Sequence, residues 1–270
     1  MDKFFLVTLV NAELNIGMLF DEKEPKLMQA IILVGGLGTR LRSVVNNVPK
    51  VLAPVGGRPF LAWLLDGLVL DGFKVICLAT GYLGNQIFNE FGNSHRCGPQ
   101  SAAIVYSHEA EPIGTGGAIR LALHQLSEKS TFVLNGDTFL RPDWYRMSDL
   151  HAEQKSHLTI AVRHVEDVSR YGGVEINEGV VVSFREKKRN GPGFINAGVY
   201  LLDRCIFDCI PETFAPFSIE QDVIEAHLHQ LTPRAFVTDS PFLDIGIPED
   251  LLYAPEFLLA HCPSYRAFDI

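Results

Sequence analysis

Short apolar runs alternate with amphipathic stretches along the first half of the chain, from Met28 onward. Continuous apolar runs of four to eight residues are typical of buried strands, whereas apolar residues at every third or fourth position predict helices. The pattern predicts strands at 30–34, 75–79, 102–106 and 131–135, and helices near 60–70, 84–91 and 115–126. Strands that alternate with helices form βαβ units, so we expect a mostly parallel sheet flanked by helices.

The second half of the chain has a different order of predicted strands and helices. Strand-like runs follow one another with little helix between them, at 158–162, 172–176, 180–184 and 194–202, and helices are predicted near 219–228 and 248–258. This pattern predicts a small antiparallel or mixed β region added to the first sheet. We find no internal repeat and no linker, so residues 28–270 are predicted to form a single Rossmann-like α/β domain.

Residues 1–27 differ in their pattern of apolar and polar positions from the rest of the chain, in which a clearer pattern begins at Met28. We interpret them as an N-terminal extension, either an added strand or helix or a segment upstream of the true start. The apolar run within it is too short to span a bilayer, and no targeting signal precedes it. A cytoplasmic location is the resulting expectation.

The net charge limits the classes of binding partner, and the cysteine content indicates the redox compartment. The formal net charge is −9 and no long Lys/Arg block occurs, which argues against nucleic acid or an anionic membrane as a partner. The five cysteines are odd in number and scattered, as in proteins of a reducing compartment. Cys205 and Cys209 are one helical turn apart, and we interpret them as two buried thiols on a helix face rather than as metal ligands.

A glycine-rich loop follows the first predicted strand and contains Gly35, Gly36, Gly38, Thr39 and Arg40. Glycines let the backbone approach a ligand and direct N–H groups at phosphate oxygens. The loop lacks the Lys-Ser/Thr pair of a Walker loop and the third glycine of a dinucleotide fingerprint. The alternative is a tight strand-to-helix turn with a surface arginine.

Charged residues near this loop favour a phosphate site. Lys50 follows Pro49 and precedes a predicted helix, so two cations, Arg40 and Lys50, would flank the loop. Phosphoryl chemistry needs negative charge on the phosphates to be offset in this way. Asp137 ends a buried strand, where a carboxylate can bind Mg²⁺ or, alternatively, cap a helix. Because both loops follow parallel strands, they are expected to face one crevice.

Six segments in order resemble the signature of sugar-1-phosphate nucleotidyltransferases. They are GGLGTRLR…PKVLAPVGGRPFL from residue 35, EPIGTGGAIRLAL from 111, NGDTF from 135, FREK from 184, INAGVYLL from 195 and DIGIPEDL from 244. The resemblance spans most of the chain and implies the nucleotide-diphospho-sugar transferase fold. It also implies Mg²⁺-dependent transfer of a nucleoside monophosphate from a triphosphate to a sugar 1-phosphate, with release of pyrophosphate.

The resemblance also implies residue roles. Arg40, Lys50 and Asp137 would be catalytic, and Asp137 and Asp244 would bind the metal. The nucleotide would be bound by Gly35, Gly36, Gly38, Thr39, Gly81, Gly114, Thr115 and Gly116. The sugar phosphate would be bound by Gly173, Glu186, Lys187 and Asn196. From the residues alone, Gly114 to Gly116 could equally form a plain helix cap, and Asn196 could satisfy a neighbouring backbone group.

Within the family the chain most resembles D-glycero-D-manno-heptose 1-phosphate guanylyltransferases. This resemblance implies GTP and heptose 1-phosphate as substrates and a role in lipopolysaccharide, capsule or S-layer glycan synthesis. A homo-oligomer is a further expectation. Uridylyl, cytidylyl or mannose-1-phosphate-type transfer is the alternative within the class. A glycosyltransferase and a noncatalytic regulatory relative are the alternatives outside it. The set Arg40, Lys50, Asp137 and Asp244 argues against a pure binding module.

Overall fold

A ten-stranded mixed sheet forms the centre of the computed structural model, which describes residues 28–36, 48–185, 190–212 and 216–262. The strands are β1 Gln29–Leu33, β2 Pro54–Val55, β3 Arg58–Pro59, β4 Val75–Thr80, β5 Ser94–Cys97, β6 Gln100–His108, β7 Ser130–Asn135, β8 Thr138–Leu140, β9 Leu158–Val165, β10 Gly173–Asn177, β11 Val180–Arg185, β12 Gly193–Asp203, β13 Arg234–Val237 and β14 Phe242–Asp244. The α-helices are α1 Phe60–Leu70, α2 Gly84–Phe91, α3 Gly114–Ala122, α4 Trp144–Glu153, α5 Leu228–Leu231 and α6 Pro248–His261.

The strand order of the large sheet is β10-β11-β13-β9-β12-β7-β1-β4-β6-β5. Strands β7, β1, β4 and β6 pair in parallel, and so do β13 and β9, whereas β12 pairs antiparallel with both β7 and β9. The predicted α/β class with a mixed sheet is confirmed. Apart from the pair of β9 and β13, parallel pairing is confined to strands of the first half of the chain. In the second half a short turn joins β10 to β11, and such a turn permits antiparallel pairing alone.

The sheet is buried on both faces, as the continuous apolar runs predicted. Successive residues of β1 point to opposite sides, so Ala30 and Ile32 join one core cluster and Ile31 joins the other. Helices α1, α4 and α6 contribute to the first cluster, and α3 contributes to the second together with a π-helix at Ile219–Glu225. These layers hold rigidly the strand ends from which the site is built.

Helices α4 and α5 were not predicted from the sequence, and one further helix was predicted as a different type. Helix α4 begins after Asp143, whose side chain accepts a hydrogen bond of 3.0 Å from the Arg146 amide. Its Trp144 packs edge-on against Phe73 and Phe132, with ring centroids 5.1 Å apart in both cases. The helix predicted near 219–228 is instead the π-helix Ile219–Glu225. Short π-helical segments occur frequently at functional sites.

The five cysteines are not joined by disulfides, and burial divides them into two groups. Cys77, Cys97 and Cys262 are buried, and burial raises the pKa of the Cys77 thiol to about 12. Cys205 and Cys209 are exposed, so the prediction of two buried thiols on a helix face is wrong. The segment Arg204–Phe207 is a 3₁₀ turn, and Ile206 and Phe207 bury themselves in place of the thiols.

No helix in the described ranges is both long enough and apolar enough to cross a lipid bilayer. The N-terminal extension, residues 1–27, lies outside the described residues, so its interpretation stays a prediction.

Candidate active site

A large cavity lies at the carboxyl ends of the parallel strands β1 and β7, with a volume of about 1030 Å³. Gly36 after β1 and Asp137 after β7 both line it. Leu33 and Asn135 are paired in register at the strand ends, and the Gly136 amide donates a 3.0 Å hydrogen bond to the Leu33 carbonyl. The prediction that the two loops face one crevice is confirmed for the turn after Asn135 and for Gly36, whereas the rest of the first loop lies outside the described residues.

Lys50 and Asp137 form an ion pair inside this cavity. Lys50 opens the 3₁₀ segment Lys50–Leu52, and its Nζ donates to Asp137 Oδ2 at 2.7 Å. The Lys50 side chain is 14% exposed and that of Asp137 is 39% exposed, so the carboxylate remains open to a ligand. The structure therefore places the predicted catalytic lysine against the predicted metal-binding aspartate.

Asp244 lies beside Asp137 because β14 pairs antiparallel with β8. Asp244 is in register with Thr138, and the Ile245 amide donates a 3.0 Å hydrogen bond to the Asp137 carbonyl. Burial raises the pKa of the Asp244 carboxyl, and the negative charge of Asp137 raises it further. Lys50, the Gly246 amide and Arg170 oppose this shift. Two carboxylates thus converge where a cation would lower their mutual repulsion.

Arg170 holds Asp244 in place, and sequence reasoning did not identify it. Its guanidinium donates to the Asp250 carboxylate and to the Asp244 main-chain oxygen, the latter at 3.2 Å. It also lies 3.8 Å from Asp244 Oδ2 and stacks 5.0 Å above the Tyr171 ring. Asp250 lies in α6, so the first turn of that helix supports the carboxylate pair through Arg170.

A hydrogen-bond chain joins two residues that line the cavity, Asn196 and Glu220. Asn196 Nδ2 donates to the Tyr200 hydroxyl at 2.7 Å, and that hydroxyl donates to Glu220 Oε1 at 2.8 Å. Asn196 Oδ1 accepts from the Gly198 amide at 3.0 Å, so Asn196 lines the cavity and also satisfies a backbone group. Glu220, in the π-helix, was missed from the sequence because its partner Tyr200 is brought to it by the fold.

Glycines that were assigned to nucleotide binding have two different settings. Gly36 lines the cavity, as does Thr115 of the same predicted nucleotide site, and so does Gly173, which was assigned to the sugar phosphate. Gly35 and Gly81 pack against each other at the ends of β1 and β4, where a Cβ on Gly35 would lie 3.1 Å from the Gly81 nitrogen. Their small size is explained by this close backbone approach.

Gly114 and Gly116 pack against the segment around Phe217. A Cβ at Gly114 would overlap the Phe217 backbone, and one at Gly116 would overlap its ring. The Gly116 amide donates to the Phe217 carbonyl at 3.0 Å, and Thr115 Oγ1 accepts from the Ile219 amide at 3.0 Å. Close packing of α3 on this segment therefore accounts for both glycines without a ligand.

Five of the predicted site residues, Gly38, Thr39, Arg40, Glu186 and Lys187, lie outside the described residues. Their roles stay predictions from the resemblance.

We expect replacing Gly116 by Ala to lower the melting temperature by about 5 °C. Overpacking of a well-filled core costs about 1–3 kcal/mol, and the overlap of the added Cβ with the Phe217 ring favours the upper end of that range. The gain in helix propensity is roughly 1 kcal/mol, which leaves a net cost of about 2 kcal/mol. Each kcal/mol shifts the melting temperature of a chain near this size by about 2–4 °C. The check is thermal unfolding followed by circular dichroism.

The matched control is Gly36→Ala, because no atom of the residues that the structure describes lies within 4 Å of a Cβ built at Gly36. This control should leave the melting temperature nearly unchanged. An unchanged melting temperature in Gly116→Ala would contradict the packing explanation and return Gly116 to a ligand role.

The sequence profile of the nucleotidyl transferase family matches residues 29–261. This chain belongs to the nucleotidyl transferase family. The match begins at β1 and ends with α6, so it contains every described residue of the cavity. The predicted membership, inferred from ordered motifs, is confirmed.

Relatives of this nucleotidyltransferase include two curated enzymes. The chain is 41% identical over 223 residues to D-glycero-alpha-D-manno-heptose 1-phosphate guanylyltransferase from Aneurinibacillus thermoaerophilus, covering 83% of this chain and 95% of the relative. It is 38% identical over 226 residues to the Campylobacter jejuni protein of the same name, covering 83% and 96%. The crystal structure of HddC from Yersinia pseudotuberculosis complexed with GMP-PN matches with a TM-score of 0.73 at 37% identity, covering 85% of this chain and 98% of that one.

Proposed function

We propose that this nucleotidyltransferase transfers GMP from GTP to D-glycero-α-D-manno-heptose 1-phosphate, giving GDP-heptose and pyrophosphate with the help of Mg²⁺. The observation that carries the proposed chemistry is the convergence of Lys50, Asp137 and Asp244 in one cavity. The names of the two curated relatives support the choice of sugar and nucleotide, since both are heptose 1-phosphate guanylyltransferases.

The donor set fits magnesium. Asp137 and Asp244 supply carboxylate oxygens, the ligands that Mg²⁺ prefers. The pKa of Asp244 is raised first by burial and second by the negative charge of Asp137, and a bound cation would offset both effects. Asp244 Oδ1 is oriented by the Gly246 amide at 2.6 Å, while Asp137 Oδ2 faces Lys50. When bound, Mg²⁺ would neutralise triphosphate charge and polarise the phosphorus under attack.

In the proposed reaction, an oxygen of the sugar phosphate attacks the α-phosphorus of GTP in line, and the bond to the β-phosphate oxygen breaks. A phosphate monoester is already ionised at neutral pH because its second pKa is about 6, so the chain needs no general base. Lys50 would offset developing negative charge on the phosphates. Asn196 is oriented by Tyr200 and Glu220, and its amide would donate a hydrogen bond to the sugar or accept one from it.

The test is pyrophosphate release with Mg²⁺, in which GTP, UTP, CTP, ATP and dTTP are crossed with heptose, mannose, glucose and N-acetylhexosamine 1-phosphates. We expect the highest kcat/KM for GTP with heptose 1-phosphate. Faster turnover with another pair would keep the family and overturn the substrate proposal. Absence of turnover with every pair would overturn the proposal of a catalyst and favour a regulatory relative.

A further inference from the structure

A second cluster of metal-binding side chains lies at the opposite end of β12 from the cavity. His157 Nδ1, a carboxylate oxygen of Asp203 and Cys205 Sγ all lie within 4.8 Å of one another. Asp203 is seven residues beyond Asn196 on the same strand, which corresponds to roughly 20 Å at about 3.3 Å per residue. The cluster is therefore separate from the proposed catalytic site.

We propose that His157, Asp203 and Cys205 form a binding site for a zinc-class divalent ion. Imidazole nitrogen, carboxylate oxygen and thiolate sulfur are the ligands of zinc, whereas Mg²⁺ and Ca²⁺ select oxygen alone. Three protein ligands leave the fourth tetrahedral position to water.

The distances in the cluster agree with a tetrahedral ion. His157 Nδ1 lies 3.0 Å from Asp203 Oδ2 and 3.4 Å from Cys205 Sγ. Zinc bond lengths in tetrahedral geometry place such atom pairs about 3.3 Å and about 3.5 Å apart. Small shifts of the exposed His157 and Cys205 side chains are sufficient to reach these values.

The framework that carries the ligands is rigid. The Asp203 amide donates a 2.9 Å hydrogen bond to the His157 carbonyl, which fixes the backbones of two ligands against each other. The Asp203 side chain is 2% exposed, and its Oδ1 accepts from Ser130 Oγ at 2.6 Å and lies 3.4 Å from His151 Nε2. These contacts orient the carboxylate so that Oδ2 faces His157, as outer-shell partners do in known metal sites.

The Lys129 ammonium competes with a metal ion for the Asp203 carboxylate. Its Nζ lies 3.0 Å from Asp203 Oδ2, but the side chain is 77% exposed, and exposed ion pairs contribute little stability. A bound ion would displace the ammonium into solvent. Cys205 would bind as the thiolate and release one proton to solvent on binding.

The experiment is a competition for Zn²⁺ between the 270-residue chain and a chromophoric zinc chelator, with Mg²⁺ tested separately as a competitor and Co²⁺ used as a spectroscopic probe. We expect one equivalent of Zn²⁺ to bind, no competition by Mg²⁺, and a thiolate-to-cobalt charge-transfer band. His157→Ala and Cys205→Ser should each weaken binding by at least about tenfold, and Cys205→Ser should remove the cobalt band. Both side chains are exposed, so folding should persist, and circular dichroism checks this.

Two further variants separate a built site from casual thiol capture. Cys209→Ser removes the other exposed thiol and should leave affinity and the cobalt band unchanged. Lys129→Gln removes the competing cation and should tighten zinc binding severalfold. Absence of stoichiometric binding, equal losses in Cys205→Ser and Cys209→Ser, or weaker binding in Lys129→Gln would overturn the proposal. Because these readouts do not use turnover, they are independent of the proposed heptose activity.

Discussion

Replacing Asp137 by Asn is expected to lower kcat by about a hundredfold to a thousandfold, the usual cost of removing one preorganised electrostatic contact to the transition state. The amide keeps the shape of the side chain but loses the charge that would bind Mg²⁺ and pair with Lys50. Because the Asp137 side chain is 39% exposed, we expect the free energy of unfolding to change by less than about 1 kcal/mol. Initial rates and urea unfolding measure the two effects.

The control for this variant is Asp149→Asn, which removes an aspartate of equal charge from an exposed position in α4. It should retain the activity of the unmodified chain. The Asp137 variant should also lower the pKa of Asp244, because the neighbouring negative charge that raises it is gone. Full activity in Asp137→Asn would contradict both the metal assignment and the proposed mechanism.

The position of the site could be predicted from the sequence because it depends on strand ends. Continuous apolar runs identified β1 and β7, and parallel pairing then required the residues after Val34 and Asn135 to share an edge of the sheet. Lys50 and Asp244 could be assigned by motif, and the structure places both in the cavity. These inferences needed only local pattern and one general rule of α/β sheets.

Residues that act through long-range contacts could not be predicted in the same way. Arg170 is significant because of Asp244 and Asp250, which are more than seventy positions away in sequence. Glu220 matters because Tyr200 contacts it from a neighbouring strand. No periodicity signals such a pair, since the partners are selected by packing of separate elements.

The glycines of α3 illustrate a related difficulty. A glycine-rich helix start is compatible with a phosphate ligand, a plain cap or close packing, and only the position of Phe217 distinguishes them. Phe217 is about a hundred residues from Gly116, so the sequence leaves all three open. The same distance effect explains why Cys205 was assigned to a buried face, since its exposure depends on how the turn after β12 meets the core.

Lowering the pH is expected to raise the Mg²⁺ concentration that gives half-maximal activity, by about tenfold for each pH unit below the pKa of Asp244. The sign follows from the raised pKa of this carboxyl, which has burial as its main cause and the Asp137 charge as the second. A raised pKa means that the neutral acid persists to a higher pH than for an ordinary aspartate. Protons therefore compete with the metal at a higher pH than they would at an ordinary aspartate, and saturating Mg²⁺ should restore activity.

Initial rates measured against Mg²⁺ concentration at a series of pH values, with both substrates saturating, test this competition. Arg170→Gln should move the onset to higher pH, because the guanidinium favours the ionised form of Asp244. Asp149→Asn again serves as the control and should follow the unmodified chain. The contrary result is a Mg²⁺ requirement that stays constant as activity falls with pH, while circular dichroism shows a folded protein. Asp244 would then not bind the metal, and the loss of activity at low pH would come from another titrating group.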